Sequence, residues 1–243
     1  MTTPPTPEID YDAVWTGAWD DMRRYGPMGR HSRRLMRRMT ADLNPRTILD
    51  IGGGEGSLLE TLSAAHPNAA MTGTDLAASA VELARRHLPH ASFAVLDIAK
   101  ERLPGTYDLI VCADVVEHID DDEAALRNMA AMINPGGHVV VATLQGRMRD
   151  FEKSVGHVRN YAHGELAAKM VRAGLVVDRV IEWGFPFYSP LYRDLLNVTD
   201  SRGTQGKYGV ARKLICNLIY AAFLLNSERR GDYIFVRAVK THS

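Results

Sequence analysis

Ile48-Leu49-Asp50-Ile51-Gly52-Gly53-Gly54-Glu55-Gly56 is the stretch whose reading decides the fold. Its apolar residues around Asp50 predict a short buried strand, and a glycine-dense turn follows at once. Ser57-Leu58-Leu59-Glu60-Thr61-Leu62 then reads as the start of a helix. Glycine lets the backbone turn sharply and lets a ligand approach the peptide groups without meeting a Cβ. Unpaired N–H groups at a helix start favour an anionic ligand group. The unit is the strand–turn–helix that opens a nucleotide-binding α/β sheet. A dinucleotide site asks for G-x-G-x-x-G with an acid about 20 residues on. Here Gly52, Gly54 and Gly56 give G-x-G-x-G, Asp50 precedes the first by two, and Ser57 stands where the third dinucleotide glycine belongs.

From Arg46 a strand/helix alternation sets in, the sign of a parallel, Rossmann-like sheet. After the strand ending at Asp50, Ala69 to Thr74 predicts a second strand running into Asp75. Ala77 to Leu88 is helical, Ser92 to Leu96 is a third strand ending at Asp97, and Asp108 to Ala113 is a fourth running into Asp114. Ligands of open α/β sheets bind beyond the carboxyl ends of the strands. One such Asp is usually a turn or cap residue; a series of them in this order points to a ligand.

With Asp50 included, the glycine turn resembles motif I of the class I S-adenosylmethionine-dependent methyltransferases. Asp108-Leu109-Ile110-Val111-Cys112-Ala113-Asp114-Val115-Val116-Glu117-His118-Ile119 is similar to the fourth motif of small-molecule members, including the ubiquinone-type O-methyltransferases. Ile133-Asn134-Pro135-Gly136-Gly137 with His138 to Ala142 resembles their L-x-P-G-G turn and fifth strand. Gly156-His157-Val158-Arg159-Asn160-Tyr161, with a helix over Gly164 to Ala173, resembles a further segment. Val176 to Ile181 and Tyr233 to Val239 complete seven strands, mostly parallel, the final one antiparallel. The resemblance implies S-adenosyl-L-methionine as cofactor and S-adenosyl-L-homocysteine as product. Gly52, Gly53 and Gly54 would cradle it, Asp50 would face its ammonium and Asp75 would accept from the ribose hydroxyls. Leu76, Asp97, Ile98 and Asp114 complete the cofactor set, and Arg30 is the candidate for its carboxylate. Asp114-x-x-Glu117-His118 is reminiscent of a metal-ligand set in ubiquinone-type enzymes. Asp replaces Glu and no other ligand motif appears, so the expectation is no metal.

The chain holds 29 Lys plus Arg and 29 Asp plus Glu. No global basic field points to nucleic acid. The fourth motif lacks the N/D-P-P-Y/F tetrapeptide, which argues against DNA adenine and protein glutamine substrates. Cys112 and Cys216 form neither a disulfide framework nor a metal spacing, so a reduced, cytoplasmic setting is expected. Met1 to Asp10 reads as a Pro/Thr-rich tail, and no apolar run reaches the roughly 18 residues of a membrane span. Tyr11, Trp15 and Trp19 recur at helical spacing, either packed on the domain or as an aromatic lid. Arg23, Arg24, Arg30, Arg33, Arg34, Arg37 and Arg38 surround an apolar stripe of Leu35, Met36, Met39 and Leu43. They form a solvated basic face, or a contact for an acidic substrate or an anionic membrane surface.

Trp183 to Gly231 stands where a bare core needs only a hairpin, and loops of this length usually carry function or structure. The chain thus divides into a tail and helical lid (1–45), a cofactor-binding core (46–182), a substrate cap (183–231), and a final strand and tail (232–243). Methyl transfer needs alignment of donor and acceptor, and a base when the acceptor is a hydroxyl or ammonium. His118 and His157 are the candidate bases, each also readable as structural. Arg159, Tyr161, Phe185, Phe187, Tyr188, Tyr192 and Trp15 are the candidate acceptor contacts. Three functions stay open: small-molecule O- or N-methylation, methylation of a lipid or quinone precursor at a membrane, and nucleotide binding without methyl transfer. A small-molecule acceptor is the expected partner, in a monomer or a homodimer.

Overall fold

A computed structural model describes Asp12, Trp15, residues 20–198 and residues 206–241. Helix α1 (Asp20–Tyr25) leads into α2 (Pro27–Thr40), whose proline occupies the first turn, where its missing N–H costs nothing. Its inward stripe of His31, Ser32, Leu35, Met36 and Met39 is buried, while Arg37 and Arg38 are exposed and Arg30, Arg33 and Arg34 are half-buried. There follow β1 (Thr47–Ile51), α3 (Ser57–Ala65), β2 (Ala70–Asp75), α4 (Ala78–His87), β3 (Ser92–Val95) and β4 (Tyr107–Ala113). A 3-10 turn at Val116–His118 precedes α5 (Asp122–Met132), β5 (Ile133–Leu144), the short α6 (Asp150–Ser154), α7 (Glu165–Arg172) and β6 (Val176–Trp183). A π-type turn at Phe187–Tyr192, α8 (Arg193–Val198) and α9 (Val210–Phe223) then intervene before β7 (Tyr233–Val239).

The sheet order is β3-β2-β1-β4-β5-β7-β6. The first five strands are parallel, and β7 runs antiparallel between β5 and β6. Two cores flank the sheet, and β4 shows why: side chains alternate across a strand. Ile110 and Cys112 join Leu126, Met129, Leu166 and Met170 of α5 and α7. Leu109 and Val111 face Leu35, Met36 and Leu59 of α2 and α3. The second core also takes in Trp183, Tyr188 and Phe223. Residues 183–231 are therefore joined to the hydrophobic interior through these side chains. Strand order reverses between β1 and β4, and a ligand crevice opens at such a switch point.

Candidate functional site

At the carboxyl end of β1 the backbone turns through Gly52 (φ 67°) and Gly54 (φ 54°), a left-handed region that other residues enter at a cost. A Cβ on Gly52 would stand 2.2 Å from Val115, so the turn and the loop after β4 are packed together. A Cβ on Gly54 would stand 2.5 Å from the Trp15 ring, which lies against the turn from the other side. Tyr11 and Trp19, the other two expected lid aromatics, lie outside the described residues.

Asp75 is held from two directions: Gly54 N–H donates to Oδ2 and Ala77 N–H to Oδ1, each at 2.9 Å. Burial nevertheless raises its pKa. Beside it Leu76 is 53% exposed, an apolar surface next to a fixed carboxylate. Asp97 accepts from Ala99 N–H at 3.1 Å and pairs with Lys100 at 2.9 Å, between the buried Leu96 and Ile98. Asp50 is 1% exposed with Oδ2 unpartnered, and burial drives its pKa well up, helped by the charges of Asp75 and Glu55. An orphaned carboxylate oxygen, an exposed leucine and a glycine cradle at one sheet end fit a cationic, nucleoside-bearing ligand.

Beyond β4 three ionisable groups converge. Asp114 has φ 57°, strained for a residue with a Cβ, and its carboxylate opens on the cleft. Tyr233 Oη–H donates to its Oδ2 at 2.9 Å. Glu117 is fully buried; Oε2 accepts from Thr143 Oγ1 at 2.7 Å, while Oε1 has no partner. Both carboxyls are raised, first by desolvation and, for Asp114, next by the charge of Glu117. The rise matters less for Asp114, whose outward face meets solvent. His118 Nδ1 lies 3.0 Å from the Gly156 carbonyl. A carbonyl only accepts, so Nδ1 carries the proton and Nε2 keeps the lone pair. Burial lowers the His118 pKa and holds the ring neutral. His157 packs edge-on against it at 4.7 Å and is itself depressed to about 4, chiefly by burial and then by His118. Glu117, His118 and His157 bring ligand atoms within 4.8 Å of one another, a set that could hold a metal ion.

The candidate acceptor residues do not share one place, and Trp15 lies at the glycine turn. Tyr188 stacks on Trp183 at 5.0 Å and lies 6.2 Å from Tyr192; Phe187 packs on the same cluster. Tyr233 joins this wall to Asp114, since its hydroxyl also meets Ser32 Oγ at 3.0 Å. Tyr161 and Arg159 are elsewhere, contrary to expectation. Tyr161 is 1% exposed and donates to Asp122 at 2.7 Å; Arg159 pairs with Asp122 at 2.6 Å. They form a structural tie with Lys169 on the α5/α7 side. Phe185 sits under the Arg230 guanidinium, 4.0 Å from its ring centre. Arg30 also departs from its expected place. It donates to Asn217 at 2.9 Å and lies over the Tyr220 ring, because its helix face meets α9 rather than the glycine turn.

Sequence reasoning passed over His31, Trp183, Tyr233 and Arg193. His31 is fully buried, with Nε2 at 2.9 Å from the Tyr220 carbonyl and the ring stacked on Trp183 at 5.2 Å. Burial pushes its pKa down from 6.5 to about 4. The folded chain therefore binds fewer protons there than the unfolded chain between those values. Its contribution is whole above pH 6.5 and is lost as pH falls toward 4. Thermal unfolding should show wild type losing stability relative to His31→Phe between pH 7 and pH 5; a constant difference would contradict it.

A family model described as a methyltransferase domain matches residues 49–139. The chain is similar to a ubiquinone biosynthesis O-methyltransferase of Vibrio parahaemolyticus, with 34% identity over 113 residues, 44% of this chain and 47% of that protein. A protein of the same description from Bordetella avium is 30% identical over 157 residues, 59% of this chain and 63% of its own. The chain thus spans about half the length of the first of these relatives. The N-methyltransferase NodS from Bradyrhizobium japonicum WM9, solved with S-adenosyl-L-homocysteine, superposes over 89% of each chain with a TM-score of 0.58. At 20% identity that likeness is one of fold.

Proposed function

From the premise that this chain carries a class I S-adenosylmethionine-dependent methyltransferase domain, we propose that it methylates an oxygen of a small, largely apolar acceptor. The observation that carries the reading is the packing of the Asp114–His118 loop against the glycine turn, through Val115 and Gly52. It brings a neutral histidine and two raised carboxyls beside the place where a sulfonium would lie.

The cofactor supplies a methyl group already activated for in-line displacement, its carbon–sulfur bond electrons returning to sulfur. The chain's own residues do the rest. Gly52 to Gly54 give a surface without side chains, Asp75, anchored by the Gly54 N–H, would accept from ribose hydroxyls, and Asp97 with Ile98 would meet the adenine edge. Asp50 and Asp114 would set carboxyl oxygens toward a cationic ligand, whose charge would favour their ionised form against the burial that raises them. His118 Nε2 takes the acceptor's hydroxyl proton, while Gly156 holds the ring in that tautomer. The aromatic wall of Phe187, Tyr188, Tyr192 and Tyr233 excludes water and favours an acceptor with a flat apolar body. The O-methyltransferase description of the relatives supports oxygen over nitrogen.

A second reading rests on the orphaned Glu117 Oε1 and His157 Nδ1, both buried without partners. Glu117, His118 and His157 would then hold a divalent cation that binds the acceptor oxygen.

S-adenosyl-L-homocysteine should raise the melting temperature and NAD should not; equal shifts would remove the cofactor assignment. Asp75→Ala should weaken S-adenosyl-L-homocysteine binding by about 1.5–3 kcal/mol, the scale of hydrogen bonds to a charged group. Unchanged affinity by calorimetry would take Asp75 out of the ribose site.

A further inference from the structure

Helix α9 is apolar on two opposite sides, and only one of them is used. Inward, Cys216 and Phe223 are buried, and the Tyr220 backbone carbonyl meets His31. Outward, Val210, Leu214, Ile215 and Leu218 are each 55–88% exposed, and Leu225, just past the helix end, is 73% exposed. The four on the helix recur at helical spacing, so they form one stripe along its outer face. Scattered exposed leucines need no explanation, but an unbroken stripe of large ones on a single helix does.

The charge around the stripe says what covers it. Neither α9 (VARKLICNLIYAAF) nor α2 (PMGRHSRRLMRRMT), which packs beside it, contains an acidic residue. Cations border the stripe: Arg30 lies 3.7 Å over Tyr220, Arg212 3.7 Å over Tyr208, and Lys213 4.7 Å from the Tyr25 ring centre. Asp21 and Glu228, acids paired with these helices, are matched by Lys213 and by Arg34 and Arg38. A symmetric pair of chains meeting through this face would bring the same cations together, which opposes self-association. An anionic bilayer is complementary in both respects. Leucines and valines enter the acyl boundary while arginines and lysines meet headgroup phosphates. Among the described residues no helix is long and apolar enough to cross a membrane, so the helix would lie in the surface.

We propose that the outer face of α9, rimmed by the cations of α2 and α9, docks the protein on a bilayer carrying anionic lipids. The idea does not depend on methyl transfer. It has a consequence for it, because α9 packs on the aromatic wall through Phe223, 5.2 Å from Tyr192. An acceptor dissolved in the bilayer would then reach the wall from the docked side.

Co-sedimentation of the full chain with vesicles tests it, using phosphatidylcholine alone and phosphatidylcholine mixed with phosphatidylglycerol. Binding is expected to the mixed vesicles, weaker by about tenfold or more to neutral ones, and diminished by salt. Leu214→Asn with Leu218→Asn should lower the bound fraction about tenfold or more at unchanged circular dichroism. Val180→Asn, on the exposed edge of β6, should leave it intact. Failure to bind either vesicle, or equal binding by the double variant, overturns the proposal. A dimer in light scattering that the double variant dissolves, without vesicle binding, overturns it too and assigns the face to a second copy.

Discussion

Replacing His118 by alanine is expected to lower turnover of the acceptor by about 10²–10⁴-fold, the range for losing a positioned base. Affinity for S-adenosyl-L-homocysteine should change little, because the ring is held by Gly156 and packed edge-on against His157 rather than set against the ribose carboxylate. Glu117→Gln should also depress turnover, by removing a buried carboxyl beside the base while keeping an acceptor for Thr143. The two readings of this cluster separate under a chelator. With His118 as a simple base, wild type treated with EDTA keeps its rate. Loss of activity restored by a divalent cation would move Glu117, His118 and His157 to a metal role. A His118→Ala rate equal to wild type would remove both.

The largest loss of stability is expected from Arg193. It is 2% exposed and donates to Glu152 Oε1 from Nε at 2.8 Å and from Nη2 at 2.5 Å. Nη1 donates to Asp232 at 2.5 Å, and the carbonyls of Gln145 and Arg147 accept as well. Glu152 in turn accepts from the Arg149 N–H and from Asn160. One guanidinium thus binds the inserted segment to the loop after β5 and to the approach to β7. Arg193→Met leaves Glu152 buried without its cation. Removing one partner of such a pair costs about 3–5 kcal/mol, a fall in melting temperature of roughly 6–20 °C for a chain this size. Calorimetric unfolding measures it, and Arg193→Met with Glu152→Leu should recover much of the loss. A single variant as stable as wild type would mean that the network is incidental.

The first half of the sheet was legible because each of β1 to β4 is a short run with an acid at or just past its end, a pattern set within a few residues. Asp50, Asp75, Asp97 and Asp114 therefore fell at strand ends as the alternation required. Other residues depended on contacts far apart in the chain. Tyr161 and Arg159 were chosen for their side-chain chemistry, yet which way they point is decided by Asp122. That acid stands in the first turn of α5, where local pattern suggests a solvated charge, and it is a buried hub. Arg30 failed for the same reason: its partner, Asn217, lies far along the chain. Residues 183–231 read as a substrate cap on a core that needs only a hairpin there. Trp183, Tyr188 and Phe223 lie in the second core, so that excision would open the interior. Nothing in the local pattern of an aromatic turn separates a lid from a wall.

The position of β7 bears on how the protein is made. Of the seven strands it is the last to leave the ribosome, yet it belongs between β5 and β6. A nascent chain emerged only to Gly231 has β5 as an open edge and β6 with no partner, each able to pair with a stranger. It also lacks Tyr233, which holds Asp114 from below and closes the aromatic wall. Synthesis therefore finishes the proposed methyl-transfer centre last, and an interrupted chain is an aggregation hazard before it is ever a catalyst.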